Sequence, residues 1–373
     1  MMFKFIAFCA GGRSGVFQFS NVLTPVLGRT KASFSIPLCR PAKKVELLTG
    51  LQWNTFKILS VPNSTEASNK IKLNREQKES VPEQLKLYDE SLSLRSKVFL
   101  LSWVGRTVDQ KVQELDNQES SALMRLLNCI ADDISQLQHR ELAVVAWSLA
   151  KMKARDHPLI KACENEIISR GLGTFDHRSI SQIAWGFSRL DIKKSNIFEE
   201  IEKAIISKQL TLAIFDVRGL AQTLVAFVVT NNGSPKLLQI FAEEILSHDF
   251  AVFRNKDLVQ IVWSFAKRNV EANQLFDKTE AELFRRGVSN INREGEIALL
   301  LWSFASAEQK KDDLFRALES QILSIRNLSG FTDRDLKDTI WALEKFGGMA
   351  CIKKLKLEAE RRGIESDVTK EKV

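Results

Sequence analysis

Residues 257–270 read DLVQIVWSFAKRNV: a tryptophan, apolar residues before it, and a Ser-Phe-Ala-Lys run after it. The phrase recurs. ISQIAWGFSRLDI begins at Ile180, LAVVAWSLAKMKA at Leu142, IALLLWSFASAEQ at Ile297 and LKDTIWALEKFGG at Leu336. Aligned on the aromatic slot, Trp147, Trp185, Val225, Trp263, Trp302 and Trp341 fall in register, with gaps of 38, 40, 38, 39 and 39 residues. Val225 takes the slot in GLAQTLVAFVVTNN, whose other features fit. A constant period of this length signals stacked supersecondary units.

Each unit has one inner grammar. An amphipathic stretch comes first, as in residues 157–171, 195–209, 235–249, 273–287 and 312–326, with apolar residues at i, i+3, i+4 and i+7. That spacing predicts a helix, A. A short connector follows, such as TFDHRS, IFDVRG, VFRNKD or GFTDRD, whose Asp, Ser, Thr and Asn residues suit a helix N-cap. The tryptophan phrase is then helix B. It is apolar on more than one side, as required of a helix sandwiched between neighbouring units. The expected fold is therefore all-α, an α-solenoid of about six helix-turn-helix repeats of 38–40 residues. The row Trp147, Trp185, Val225, Trp263, Trp302 and Trp341 is expected to be an inter-repeat packing ladder.

The repeats run over residues 119–363, with a degenerate one at 96–118 (RSKVFLLSWVGRTV resembles a worn helix B) and a tail at 364–373. Residues 46–95 are expected to be a partly disordered linker, since VPNSTEASNKIKLNREQKES is nearly free of large apolar side chains. Residues 1–45 hold seven basic side chains and no acidic one, with scattered Ser and Phe. They read as an organelle transit peptide, for a mitochondrion or, alternatively, a plastid. The charge of +8 is mostly theirs, because the rest of the chain carries 47 basic against 46 acidic residues. Net charge alone does not argue for nucleic acid. No stretch reaches the length of a transmembrane helix, so no membrane partner is expected.

The repeated phrase resembles the octotricopeptide repeats of algal organelle proteins. It is also similar to the repeats upstream of RAP domains, including the FAST-kinase-like and apicomplexan families. The resemblance covers about residues 119–362. It implies an organellar protein binding single-stranded RNA, acting in transcript stability, processing, splicing or translation. Two departures stand out: the residues after Arg362 leave no room for a RAP domain, and a PPPEW-type string is missing, so the resemblance lends no support to a nuclease role.

Two basic series mark the candidate RNA contacts. On helix B the stripe i, i+4, i+7 gives Gln182, Gly186 and Arg189; Gln260, Ser264 and Lys267; Val144, Ser148 and Lys151; Asp338, Ala342 and Lys345; Gln222, Ala226 and Val229; and Leu299, Ser303 and Ser306. The middle is always small. Amides suit base edges and cations suit phosphates. Equally, small residues let neighbouring helices pack closely, and a cation near a helix C-terminus is favoured by the macrodipole. The second series, Arg140, Arg178, Arg218, Lys256 and Arg334, lies two residues before the first apolar residue of helix B. A phosphate contact would explain it; an ion pair with connector carboxylates such as Asp176, Asp216 or Asp333 is the commoner arrangement.

The four histidines and five cysteines show no metal or nucleophile spacing, and no nucleotide-binding motif is present. No catalytic residue, metal, cofactor or small-molecule substrate is expected. The rival to RNA binding is a protein-interaction scaffold, such as a lineage-specific subunit of an organellar ribosome or RNA-processing complex.

Overall fold

A computed structural model describes residues 85, 88–107, 117–190, 195–347 and 351–364, all of them within one compact unit, 64–373. The expected transit peptide, most of the expected linker and the tail from 365 onward lie outside the described residues. Among those described there are fourteen α-helices and no strand. In chain order they are α1 (Leu94–Thr107), α2 (Asn117–Asp132), α3 (His139–Lys151), α4 (Leu159–Arg170), α5 (His177–Leu190), α6 (Ile197–Ile206), α7 (Val217–Val229), α8 (Pro235–Ser247), α9 (Asn255–Lys267), α10 (Asn273–Arg286), α11 (Glu294–Ser306), α12 (Asp312–Ser324), α13 (Asp333–Phe346) and α14 (Ile352–Arg361). Odd-numbered helices are the B type and even-numbered ones the A type. Each B helix packs on the next B, and the successive A helices α2 to α10 pack likewise, giving the two layers of an α-solenoid.

The connectors explain the turn from A to B. All six begin with a single 3₁₀ turn at the end of helix A, for example Leu212–Ile214 and Phe250–Val252, followed by a buried Leu137, Phe175, Phe215, Phe253, Ile291 or Phe331 that plugs the space between the layers. Helix B is then capped. Asp176 accepts from the Ser179 N–H at 2.8 Å, Asp216 from Gly219 at 2.6 Å and Thr332 from Asp335 at 3.1 Å. Such caps contribute about 1 kcal/mol each. At the far end, the sixth residue after the aromatic slot is left-handed in five units: Lys153, Asn231, Asn269, Glu308 and Gly347. In four of these the following N–H closes a six-residue ring onto the helix, as from Ala154 to Leu149 and from Asn232 to Phe227.

Close approach of the B helices is built from small residues. A Cβ on Gly186 would meet the Ala146 carbonyl carbon and oxygen at 2.9 Å, and one on Gly105 would meet Ser148 Cα at 3.2 Å. The Gly105 contact places α1 in the stack as an ordinary B helix. Within the stretch expected as degenerate, helix α1 thus continues the solenoid. So does the end of the expected linker: Leu85 is buried, and the Tyr88 hydroxyl donates to Cys129 Sγ at 3.1 Å.

A second device ties the A layer to the connectors. Arg170, two residues before its own 3₁₀ turn, reaches back one unit to the carbonyls of Leu137 at 2.6 Å and Ser135 at 2.8 Å. Arg286 does the same to Phe250 at 2.9 Å and Ala251 at 3.2 Å, and Arg362 to Phe331 at 2.7 Å and Leu328 at 2.8 Å. A glutamate one helical turn earlier aims each guanidinium: Glu166, Glu282 and Glu358. The arginines in turn hold Glu282 and Glu358 at a pKa of about 2, the hydrogen bonds from Arg285 and Arg361 weighing most.

Candidate nucleic-acid interface

Helix B touches solvent along one strip. In α5 it consists of His177, Arg178, Gln182, Trp185, Ser188 and Arg189, and every other residue of the helix is buried. In α9 it consists of Asn255, Lys256, Gln260, Trp263 and Lys267. Counted from the aromatic slot these positions are −7, −3, 0 and +4, which span roughly 60° of arc at 3.6 residues per turn. Both basic series therefore lie on one face, at opposite ends of it. The strip reads cation, amide, tryptophan, cation.

The stripe expected from the sequence needs correcting at its centre. Its small position faces sideways into the neighbouring B helix: Ser148, Gly186, Ala226, Ser264, Ser303 and Ala342 are all buried. The Ser148, Ser264 and Ser303 hydroxyls donate to their own helix, to the Val144, Gln260 and Leu299 carbonyls. Small residues here serve helix packing and leave no room for a nucleotide.

The aromatic row also differs from expectation. Trp147, Trp185, Val225, Trp263, Trp302 and Trp341 are each half-buried. The fully enclosed ladder is two residues further on, at Leu149, Phe187, Phe227, Phe265, Phe304 and Leu343. Trp185, Trp263, Trp302 and Trp341 pack against that core with one side, and Trp147 bridges to Trp185 of the next unit with tilted rings 6.3 Å apart between centroids. Their remaining surface faces water. Cations hover over them: Lys151 Nζ lies 5.9 Å from the Trp147 ring and 5.7 Å from Trp185, Arg189 lies 5.9 Å from Trp185, and Lys345 lies 5.4 Å from Trp341.

The −7 series divides. Arg140 pairs with Asp176 of the next connector at 3.0 Å, as the ion-pair reading expects. Asp176 is consequently shifted down despite its burial, through the Ser179 and Arg140 hydrogen bonds. Arg334 pairs within its own helix, with Asp338 at 3.4 Å. The Arg218 pKa is lowered by burial and by the neighbouring Arg254. Among the described residues, Arg178 and Lys256 have no carboxylate within ion-pair distance. In the +4 series the same holds for Arg189 and Lys267, whereas Lys345 meets Glu308 at 3.6 Å.

The near-neutral repeat region hides a separation of charge. Helices α3, α5, α7 and α9 carry seven basic and two acidic side chains. Helices α4, α6, α8 and α10 carry seven basic and ten acidic ones. The B layer is thus the positive side over the first four units. The strip changes character in the fifth, where Gly295, Leu299, Trp302 and Ser306 are uncharged.

Other chemistry is sparse. Cys163 and Cys351 are buried free thiols, each pushed up to about 12 chiefly by that burial, which leaves them protonated and inert. Among the described residues no cluster of His, Cys, Asp or Glu is placed to hold a metal ion, and no helix is long and apolar enough to cross a membrane. No family model matches the chain, and no curated protein is significantly similar to it.

Proposed function

We propose that the B-layer strip binds single-stranded RNA without catalysis, in the post-transcriptional metabolism of an organelle, a mitochondrion before a plastid. The observation that carries this reading is the order of cation, amide, tryptophan and cation along the solvent-facing strip, complete on α5 and α9 and kept in part on α3, α7 and α13. Non-specific strand binders combine cations that follow the backbone with aromatic faces on which bases stack. The separation of charge between the layers supplies the positive footprint that the net charge conceals. The acid-free residues 1–45 supply the organelle address.

The test is a filter-binding titration at several salt concentrations with a short single-stranded RNA. Arg178, Arg189, Lys256 and Lys267 are replaced together by Gln; all four are without ion-pair partners among the described residues, so the fold should persist. Binding should weaken strongly, and the log–log salt slope should flatten by about 0.7 for each phosphate that is no longer neutralised. Unchanged affinity and slope, with circular dichroism intact, would refute the strip as an RNA site.

A second reading, a subunit of an organellar ribosome or RNA-processing complex, is favoured by one observation. Apolar side chains stand out on the A-layer side, with Phe284 42% and Leu323 46% exposed at equivalent places on α10 and α12, and Ile214 50% and Val252 54% exposed at the ends of 3₁₀ turns. Rows of this kind mark protein contacts.

A further inference from the structure

Positions −3 of the strip are Val144, Gln182, Gln222, Gln260, Leu299 and Asp338. The three amides occupy three consecutive units, α5, α7 and α9. Apolar residues bound them on both sides. All three are half-buried, and within the described residues none of their side chains donates or accepts a hydrogen bond. None of their amide atoms is among the enclosed polar atoms left without a partner, so the three amides face solvent at one register position and stand open to a ligand. Trp185 and Trp263 lie one helical turn further along the same strip, beside two of them.

We propose that Gln182, Gln222 and Gln260 read a run of three adenines in a single strand, one base per unit. This rests on the RNA-binding reading above. Helical-repeat readers take one base per repeat with two or three side chains. Identical readers in consecutive units select identical bases. A glutamine amide offers an acceptor and a donor side by side, which matches the donor and acceptor pair on adenine in a bidentate contact. The purine also presents the larger face to Trp185 and Trp263. In the middle unit Val225 replaces the tryptophan, so the central base is held by its edge and packed on an aliphatic side chain.

The experiment compares binding of short oligo(A), oligo(U), oligo(C) and a mixed strand without identical neighbours, at fixed salt and then across salt. The full chain is set against a variant with Gln182, Gln222 and Gln260 all replaced by Met, which keeps the side-chain length and removes the hydrogen bonds. Oligo(A) should bind at least about tenfold tighter than the others, the order of one well-formed base contact. In the Met variant that preference should disappear while the salt slope stays unchanged, because phosphates are held elsewhere. Equal binding of all strands, or tightest binding of oligo(U) or oligo(C), overturns the adenine assignment and leaves the RNA reading standing. Absence of binding to every strand overturns the RNA reading itself, and the inference falls with it. A preference that survives in the Met variant shows that other residues read the bases, and overturns the assignment to the three glutamines.

Discussion

Helix α9 carries two aromatic residues, Trp263 and Phe265, with opposite duties. Phe265 is fully buried, and truncating it to Ala should cost about 3–5 kcal/mol, the transfer and cavity cost of a core aromatic. Trp263 is half-buried. A packed aromatic covers about 150–250 Å², so about two thirds of that at about 25 cal/mol per Å² gives roughly 2.5–4 kcal/mol for Trp263→Ala. The gain from placing Ala in a helix trims this to about 2–3.5 kcal/mol. Phe265→Ala, which leaves an enclosed cavity, should therefore be the more destabilising by roughly 1 kcal/mol, although tryptophan is the larger side chain. Urea unfolding, with hydrogen exchange to follow the damage into neighbouring units, measures the difference. RNA binding should show the reverse order. Trp263→Ala should weaken a short single strand by about 5- to 150-fold, the range for losing one stacked base, while the milder Phe265→Leu should leave affinity near normal. The reasoning fails if Trp263→Ala destabilises as much as Phe265→Ala, because the tryptophans would then be the core ladder after all. It fails in its functional half if folded Trp263→Ala binds RNA as well as the parent does.

Two further outcomes follow from the packing. Gly186→Val places side-chain atoms where even a Cβ would lie 2.9 Å from the Ala146 carbonyl, so it should cost about 1–3 kcal/mol from overpacking despite the better helix propensity, and a rise in urea midpoint would contradict it. Acid should loosen the stack through Glu282 and Glu358. Both have folded pKa values of about 2 against an ordinary 4.5, so their contribution is complete above about pH 4.5 and is lost as pH falls toward 2. Glu282→Gln should flatten that part of a stability-against-pH curve, and an unchanged curve would show that the carboxylate is not what titrates.

The period and the register were legible because every unit must present the same two-sided helix to its neighbours. Residues 235–249, for instance, fold as Pro235–Ser247, with Ser234 as the cap. The outward side of helix B was harder to read. A tryptophan among apolar residues looks like core, yet a large amphipathic ring also suits a boundary, and the buried position went to Phe265 and its equivalents. The small middle residues supported two readings equally until the distance from Gly186 to Ala146 separated them. Net charge concealed the basic strip, because acidic residues gather on the A helices and cancel it in any whole-chain count. The worn phrase around Trp103 looked degenerate because its polar positions had drifted, but Gly105 kept the close approach to Ser148 that stacking needs. Glu166 and Arg170 carry no local sign of their task, because it depends on carbonyls more than thirty residues away.

Those arginine clasps give the molecule a direction in time. At three of the six connectors the turn carbonyls accept from an arginine at the end of the next A helix, so during synthesis those turns stay open until 31 to 36 further residues have emerged. Each of these three turns is locked by the unit that follows it. A ribosome stalled between two units would expose one loose turn at the growing edge, while the units behind it keep their latches.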